Sequence, residues 1–323
     1  MVADRLPEIM ALPPRLRRGH LFAGFFAAAA GPAMYTDVRP LVDSFRPDLI
    51  VHEMAELGIV PLAVERAIPH VVVAFSGPLP AHGLTVVASE LTAWWADLGL
   101  DLPEHAGLGG DLYLHPFPAA LNDDPTWRFE RLRPDSAEPE PPVEPPSWLS
   151  GFGSTRPSIY VSFGTERVAA DAPWPELLEA IGEREIDALV TTGAHADVAA
   201  LDHLPPNVRV ERYVPQSLVL GRVSAVVSHA GAGTMLGAAN AGVPQVVVPM
   251  LADQWENADA IASAGAAVLC EEDERTATAL GSAIDQAIFD GGYREAAASI
   301  ASDMRAMPTA ADHVPLLEAL AAV

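Results

Sequence analysis

The sequence predicts an α/β protein of two domains, the second of which is a doubly wound parallel sheet. From Pro157 onward, short apolar runs alternate with helical segments, and repeated strand–helix units of this kind form parallel sheets. The first half of the chain contains similar strand–helix units. Between the halves, Pro134 to Pro146 (PDSAEPEPPVEPP) is proline and acid with almost no apolar residues, which is typical of an extended linker.

The first domain is predicted over residues 1–133. Its longest apolar run, Leu21 to Ala33, is too short to span a bilayer, and its leucine and phenylalanine residues recur at helical spacing. We therefore expect a helix of the domain there, and a cytoplasmic protein. The other predicted elements are strands over 49–51 and 70–75, helices over 57–66 and 84–98, and a loop over 115–133 with one short strand.

The linker is predicted over residues 134–156 and the second domain over residues 157–323. Buried parallel strands are near-continuous apolar runs, and glycine or proline commonly follows the end of a helix. On these criteria, the predicted strands are 158–163, 188–192, 208–211, 225–228 and 245–248. The predicted helices are 174–182, 235–241, 276–290, 292–305 and 309–321.

A glycine turn, His229 to Thr234 (HAGAGT), lies between a predicted strand and a predicted helix. A helix that begins near Thr234 leaves its first N–H groups without intrahelical partners and carries about half a positive charge at that end. Gly231 and Gly233 have no side chains, so a phosphate can approach the backbone closely. His229 adds a ring N–H and Thr234 a hydroxyl. The turn therefore predicts an anion-binding site.

A polar loop follows the next strand, which ends in Pro249, and carries Asp253, Gln254 and Asn257. Open α/β sheets bind ligands at the carboxyl ends of their strands, so this loop and the glycine turn are expected to share one ligand. A carboxylate beside an amide suits sugar hydroxyls, which both donate and accept hydrogen bonds. The ligand that these features imply is a diphosphate with a sugar attached.

The pattern from Ala225 to Asn257 resembles the donor-binding signature of UDP-glycosyltransferase-type enzymes. The shared elements are His-x-Gly-x-Gly-Thr, Gly-Val-Pro, a strand that ends in proline, and Asp-Gln-x-x-Asn-Ala. Within that family, the chain most resembles the actinobacterial antibiotic and macrolide glycosyltransferases. The resemblance implies the GT-B fold, with two Rossmann-like doubly wound domains. It also implies inverting, metal-independent transfer of a deoxysugar from a TDP or UDP donor to a hydroxyl of a small natural-product acceptor, with no further cofactor.

The resemblance assigns the donor-site residues in three groups. The diphosphate is expected to contact His229 and the turn Gly231, Ala232, Gly233 and Thr234, and the sugar hydroxyls are expected to contact Asp253 and Gln254. Gly164 and Thr165 resemble the family's glycine-serine/threonine turn near the diphosphate. Tyr213, Val214 and Gln216 belong to a stretch (YVPQ) that resembles the nucleotide-base loop, where an aromatic ring stacks on the pyrimidine.

Gly237 bears on the choice of nucleotide. Many plant relatives carry at this position a glutamate that holds both ribose hydroxyls. A thymidine diphosphate donor lacks the 2′-hydroxyl and does not need that carboxylate, so Gly237 favours TDP-sugars.

The catalytic residues are less well defined. In the family, an acidic residue at the position of Glu53 orients a catalytic histidine, which lies in a Gly-His-x-x-Pro motif after the first strand. This chain lacks that motif, because His20 follows a glycine but no proline stands three residues later. We therefore expect the chain to lack the first strand–helix units of the acceptor domain, and we assign no base. His52, beside Glu53, is interpreted as structural.

The composition excludes several classes of protein. The net charge of −24 argues against nucleic acid and anionic membrane surfaces as partners. All 19 basic residues are arginine, which excludes a Walker-type phosphate loop and a lysine Schiff base. Cys270 is the single cysteine, so there is neither a disulfide framework nor a thiolate metal site. With no Asp-x-Asp pair and no His-Glu-x-x-His motif, we expect no metal site.

Two alternatives remain open. The absent histidine motif is compatible with a catalytically silent or auxiliary protein that binds nucleotide sugars. Gly231-x-Gly233-x-x-x-Gly237 also resembles a nicotinamide dinucleotide turn, with Asp253 at about the distance of a ribose-binding acid. However, that turn normally follows the first strand of its domain, and it has no use for His229. The expected partners are a nucleotide sugar and a small aglycone, and the oligomeric state, a dimer included, is left open.

Overall fold

The computed structural model describes residues 2–122, 124–134, 144–164, 172–193 and 204–322, with side chains from residue 5 onward. Unit 1 of the structure contains Met1–Phe117, Asp123–Arg133 and Met307–Val323, and unit 2 contains Pro118–Asn122 and Pro134–Ala306. Residues 307–323, which the sequence prediction assigns to the second domain, thus pack with unit 1. Residues 135–143 of the predicted linker lie outside the described residues.

Helices and strands alternate along most of the described chain. The α-helices are α1 (Val2–Met10), α2 (Pro14–Phe22), α3 (Gly31–Phe45), α4 (Ile59–Arg66), α5 (Ala81–Asp97), α6 (Trp174–Gly182), α7 (Gln216–Val219), α8 (Ala232–Asn240), α9 (Gln254–Ser263), α10 (Ala277–Phe289), α11 (Gly291–Ala306) and α12 (Ala310–Ala321). The strands are β1 (Ile50–Glu53), β2 (His70–Val73), β3 (Leu112–His115), β4 (Phe129–Arg131), β5 (Ser158–Ser162), β6 (Asp187–Thr191), β7 (Val208–Glu211), β8 (Ala225–Ser228), β9 (Gln245–Val247) and β10 (Ala267–Leu269). A π-helical segment, Ala23–Ala30, connects α2 to α3, so the apolar run near the start of the chain is helical.

The described strands of unit 2 form one parallel sheet in the order β10-β9-β8-β5-β6-β7. The first described strand of the unit, β5, lies in the middle of this sheet. Strands β6 and β7 follow on one side of it and β8 to β10 on the other, as predicted for a doubly wound fold. Strands β5 and β8 are buried along their whole length, which explains their continuous apolar sequences. The winding direction reverses between them, where Ser162 pairs with Ser228 at the carboxyl ends of the two strands.

Unit 1 contains a smaller parallel sheet in the order β1-β2-β3-β4. On one face, Val72 and Tyr113 pack in a core cluster that includes Leu62 of α4 and Trp95 of α5. On the other face, a satellite cluster contains Val71, Leu112 and Leu114, against which pack Leu316, Leu317 and Leu320 of α12. These leucines explain why the last helix belongs to unit 1.

Several elements differ from the sequence prediction, which also lacks α1 and β10. The prediction lacks β3, because its four residues follow a glycine-rich stretch that is typical of a loop. Helix α9 occupies part of the predicted polar loop, since Trp255, Ala258 and Ile261 recur at helical spacing and are buried. Helix α8 begins at Ala232 and not at Met235, because Gly231 is the extended residue that precedes the first turn.

Two buried histidines of unit 1, His52 and His115, have lowered pKa values. His115 is 0% exposed, and neither of its ring nitrogens has a hydrogen-bond partner among the described residues. Burial, with a smaller contribution from the charge of Arg131, lowers the pKa of His115 to about 4. Burial also lowers the pKa of His52 to about 4. Both rings are therefore neutral in the folded protein between pH 4 and 6.5, whereas the unfolded chain takes up protons near pH 6.5.

We predict that replacing His115 with phenylalanine reduces the acid sensitivity of the fold. Because the unfolded state binds more protons than the folded state in this range, the free energy of unfolding falls as the pH is lowered from 6.5 towards 4. His115→Phe keeps the ring that stacks on Phe117 at 5.5 Å and removes the titrating group. Urea midpoints at pH 7.5 and pH 5 should differ less for His115→Phe than for the wild type. His20→Gln serves as the control, and an equal loss in His115→Phe and wild type would contradict the prediction.

Candidate functional site

A cavity of about 340 Å³ opens in unit 2 at the carboxyl ends of β5 and β6, next to the reversal of winding direction between β5 and β8. Its lining includes six of the predicted donor-site residues. The lining residues are Tyr160, Ser162, Gly164, Thr191, Gly193, Arg212, Tyr213, Val214, Gln216, Gly233 and Thr234. Predicted residues from three separate stretches of sequence are thus brought to one cavity. Thr165 lies outside the described residues.

The amino end of helix α8 forms one wall of this cavity. The first helical hydrogen bond runs from the Met235 N–H to the Gly231 carbonyl, at 3.0 Å. The N–H groups of Ala232, Gly233 and Thr234 therefore have no partner within the helix, and no side chain in the part of the chain that the structure describes caps them. A Cβ at Gly233 would meet no atom of the described residues within 4 Å, so the space beside Gly233 is open. This is the geometry of an anion site at a helix start.

His229 lies between two glycines. A Cβ on Gly231 would overlap Nε2 of His229, and a Cβ on Gly164, whose φ is +81°, would lie 3.1 Å from Cε1. Gly231 is thus needed to make room for the imidazole, a reason that the sequence interpretation did not include. Burial lowers the pKa of His229, and the Ser162 backbone and the Asp253 carboxylate act in the opposite direction. The imidazole is therefore neutral at pH 7.

Ala230, which stands between His229 and Gly231 in the sequence, has a left-handed backbone conformation. Its φ is +60°, a conformation that costs a non-glycine residue about 1–2 kcal/mol. Its N–H donates to the Ser228 hydroxyl at 3.2 Å, and its carbonyl accepts a hydrogen bond from Nδ2 of Asn257 at 3.0 Å. The same nitrogen donates to Oδ2 of Asp253 at 2.9 Å. Asn257 therefore connects the glycine turn to the start of α9.

Gln254 has a different environment from the one predicted. It is the first residue of α9, and its Oε1 accepts the N–H groups of Met250 (2.8 Å) and Leu251 (2.9 Å). This oxygen stabilises the loop, so the amide nitrogen is the group of Gln254 that is available to a sugar hydroxyl. The assignment of Asp253 and Gln254 to the sugar stays a prediction.

The far side of the cavity carries groups suited to a nucleoside. Tyr213 is 70% exposed although it is aromatic, and Val214 behind it is buried. Nε2 of Gln216 donates to the Thr234 hydroxyl oxygen at 3.0 Å, which leaves that hydroxyl's proton for a ligand. A Cβ on Gly237 would lie 3.2 Å from Oε1 of Gln216. The Gln216 side chain thus occupies the space beside Gly237.

Five lining residues have no counterpart in the sequence interpretation, namely Tyr160, Ser162, Thr191, Gly193 and Arg212. Tyr160 and Thr191 are joined by a hydrogen bond of 2.8 Å on the floor of the cavity, and both are buried strand residues that no motif marks. Arg212 is the one charged side chain among the lining residues. Its position next to Tyr213 in a strand-end loop was the signal that could have identified it.

Other features lie away from this cavity. Glu53, at the end of β1 in unit 1, accepts the Ala55 N–H on Oε2 at 2.7 Å, so one of its oxygens stabilises its own turn. A larger cavity of about 640 Å³ in unit 1 borders His70 and Trp127 and contains none of the predicted site residues. Within the described ranges, no group of three or more potential metal ligands is present. Likewise, no helix among the described residues is long and apolar enough to cross a membrane.

Comparison with known proteins gives matches across the chain. Residues 175–320 match the family model of the Erythromycin biosynthesis protein CIII-like, C-terminal domain. The L-demethylnoviosyl transferase of Streptomyces niveus is 30% identical over 310 residues, which are 93% of this chain and 77% of the relative. The aklavinone 7-beta-L-rhodosaminyltransferase of Streptomyces galilaeus is 31% identical over 309 residues, 93% of this chain and 66% of the relative.

Solved structures resemble this protein as well. The glycosyltransferase VinC, in complex with dTDP, has a TM-score of 0.80 and 22% identity over 94% of this chain and 79% of that chain. The spinosyn rhamnosyltransferase SpnG has a TM-score of 0.80 and 22% identity over 94% of this chain and 81% of that chain. At these identities, the likeness is evidence of a shared fold.

We predict that Gly231→Ala displaces the His229 ring and that Gly233→Ala does not. The new Cβ at position 231 overlaps the imidazole, whereas the one at position 233 enters open space in the same turn. The ring resonances of His229 in NMR spectra report the displacement, with Gly233→Ala as the matched control. Unchanged His229 resonances in folded Gly231→Ala would contradict the described packing.

Proposed function

This chain belongs to the family of actinobacterial antibiotic glycosyltransferases, and we propose that it transfers a sugar from a thymidine diphosphate donor to a hydroxyl of a small natural-product acceptor. Membership rests on the L-demethylnoviosyl transferase, which is 30% identical and of which the chain covers 77%. The predicted fold class, GT-B with Rossmann-like α/β domains, is confirmed, since both units contain parallel sheets and the solved structures with TM-scores of 0.80 are glycosyltransferases.

The observation that carries the proposal is the uncapped start of helix α8 in the wall of the unit 2 cavity. The N–H groups of Ala232, Gly233 and Thr234 supply hydrogen-bond donors and the positive end of the helix dipole. Arg212 adds a full positive charge to the lining. A diphosphate is the ligand that matches this combination in a protein whose net charge is −24.

The same groups fit the chemistry of transfer. As the bond between the sugar and the diphosphate breaks, negative charge develops on the leaving diphosphate. Preorganised donors aimed at such charge each lower the barrier by roughly 3 kcal/mol. The neutral His229 contributes as a hydrogen-bond donor rather than as a cation, because burial lowers its pKa. No step of this process uses a metal, and inversion at the sugar carbon follows if the acceptor attacks from the opposite face.

Thymidine is favoured over uridine by the groups near the ribose. The Gln216 side chain fills the space beside Gly237, so no carboxylate stands there to hold a 2′-hydroxyl. The exposed ring of Tyr213 offers a face on which a pyrimidine can stack. In support, VinC and SpnG were each solved with thymidine diphosphate. A UDP-sugar is the alternative donor.

On the acceptor side, a base is required to remove the proton of the attacking hydroxyl. Glu53 is proposed as the acid that orients this base, with the carboxylate oxygen that does not bind Ala55. We assign no residue as the base. The nature of the sugar and of the acceptor is also left to experiment.

We predict that the protein binds dTDP more tightly than UDP in calorimetric titrations and that NADH does not bind. With TDP-sugars and a panel of aglycones, it should transfer sugar, and His229→Ala should slow the transfer roughly 100-fold because one preorganised donor is lost. His105→Ala, whose imidazole lies in unit 1 beside Glu104, is the control.

Each contrary result has a distinct meaning. Binding of dTDP without transfer or hydrolysis of any donor would contradict the transferase and favour a silent nucleotide-sugar-binding protein. Binding of NADH in place of dTDP would contradict the donor site altogether.

A further inference from the structure

We infer that Asn257 is a positioning residue for the donor site. Its side chain holds the turn before helix α8 and the carboxylate of Asp253 in one arrangement. This inference rests on the proposed function, because its consequence is a change in the binding of the donor. Asn257 itself does not line the cavity.

One nitrogen atom makes the connection. Asn257 is 1% exposed and lies in the first turn of α9. A side-chain amide nitrogen carries two hydrogens, and Nδ2 of Asn257 uses both, for the Ala230 carbonyl at 3.0 Å and for Oδ2 of Asp253 at 2.9 Å. The two acceptors belong to loops that follow the neighbouring strands β8 and β9. Asn257 therefore fixes the distance between these loops.

The bond to Ala230 acts on a strained residue. Ala230 is buried with a φ of +60°, which is left-handed and unfavourable for any residue with a Cβ. Its peptide groups are held from both sides, by the Ser228 hydroxyl on the N–H and by Asn257 on the carbonyl. Without Asn257, the turn can relax towards negative φ. Such a change rotates the chain at Gly231 and turns the first N–H groups of α8 away from the cavity.

The hydrogen bond to Asp253 orients the carboxylate that is predicted to contact the sugar. With Oδ2 held by Asn257, the direction of the other carboxylate oxygen is fixed. The amides predicted to bind the diphosphate and the carboxylate predicted to bind the sugar thus share one support. Loss of that support should weaken binding of the diphosphate specifically, and leave binding of the nucleoside end, near Tyr213 and Gln216, largely intact.

The test compares dTDP and dTMP binding to the full chain by calorimetry. The ratio of the dTMP dissociation constant to the dTDP dissociation constant measures what the second phosphate contributes to binding. Asn257→Asp keeps the shape of the side chain but removes both donors, so the ratio should fall about tenfold, the size expected for a lost buried hydrogen bond. If Asn257→Asp does not fold, Asn257→Ser removes the amide without adding a charge and gives the same comparison.

A second substitution separates positioning from plain stability. Glycine adopts a φ of +60° without strain, so Ala230→Gly in the Asn257→Asp background should recover part of the lost ratio, about threefold. Ala230→Gly alone should change the ratio by less than about twofold, since Asn257 already holds the turn.

Asn207 provides a matched control. Its two Nδ2 hydrogens are shared among the carbonyls of Ile181 (2.9 Å), Arg184 (3.2 Å) and Ile186 (3.0 Å) in the same unit, and Asn207 does not line the cavity. Asn207→Asp should lower the melting temperature and leave the ratio unchanged.

The outcomes are distinct. An unchanged ratio in Asn257→Asp or Asn257→Ser, or no recovery on adding Ala230→Gly, would overturn the positioning role. Equal weakening of dTDP and dTMP together with a lower melting temperature would also overturn it, and would assign Asn257 to stability alone. If the wild type bound neither nucleotide, the proposed donor itself would be wrong. This outcome is distinct from failure of the positioning role, because it is measured on the wild type alone.

Discussion

Helix α8 is preceded by a residue, Gly231, that must be glycine, and this constraint governs the donor site of unit 2. A side chain on Gly231 would overlap the His229 imidazole, so no serine, threonine or aspartate can stand there to cap the helix. By contrast, Thr276 caps α10 by accepting the Ala279 N–H, and Thr309 caps α12 by accepting the Asp312 N–H. The corresponding N–H groups of α8 have no such cap among the described residues. The packing of the His229 ring against Gly231 therefore requires that the start of helix α8 has no side-chain cap at position 231. Such an uncapped start is unfavourable for the helix and becomes useful when an anion binds there.

The electrostatics of the site are local. The chain as a whole repels anions with a net charge of −24, and long-range attraction cannot bring a nucleotide diphosphate to it. The cavity compensates with groups that are fixed in direction, namely the amides at the start of α8 and the Thr234 hydroxyl, together with Arg212. Fixed donors in a partly buried cavity need little reorganisation as charge develops on the leaving group. The overall acidity therefore does not conflict with an anionic donor.

The sequence predicts the fold of unit 2 well, because its central strands are buried on both faces and appear as continuous apolar runs. Helix α6 and strands β7 and β8 have the predicted bounds. The short strand β3 and the helix α9 are not predicted, since glycine before β3 and polar residues at the start of α9 obscure their periodicity. For the site, the motif identifies His229, Gly233 and Thr234, which the structure brings to one region. It does not reveal the role of Asn257, because that role depends on the backbone conformation of Ala230, which no residue type at that position indicates. Arg212 and the Tyr160–Thr191 pair become visible only when β5, β6 and the loop after β7 are placed side by side.

The most direct measurement is a crystal structure of the protein with dTDP bound. The diphosphate should lie at the start of α8, with phosphate oxygens about 3 Å from the N–H groups of Gly233 and Thr234 and the thymine ring over Tyr213. A diphosphate bound elsewhere than beside residues 229–234 would contradict the assignment of the donor site.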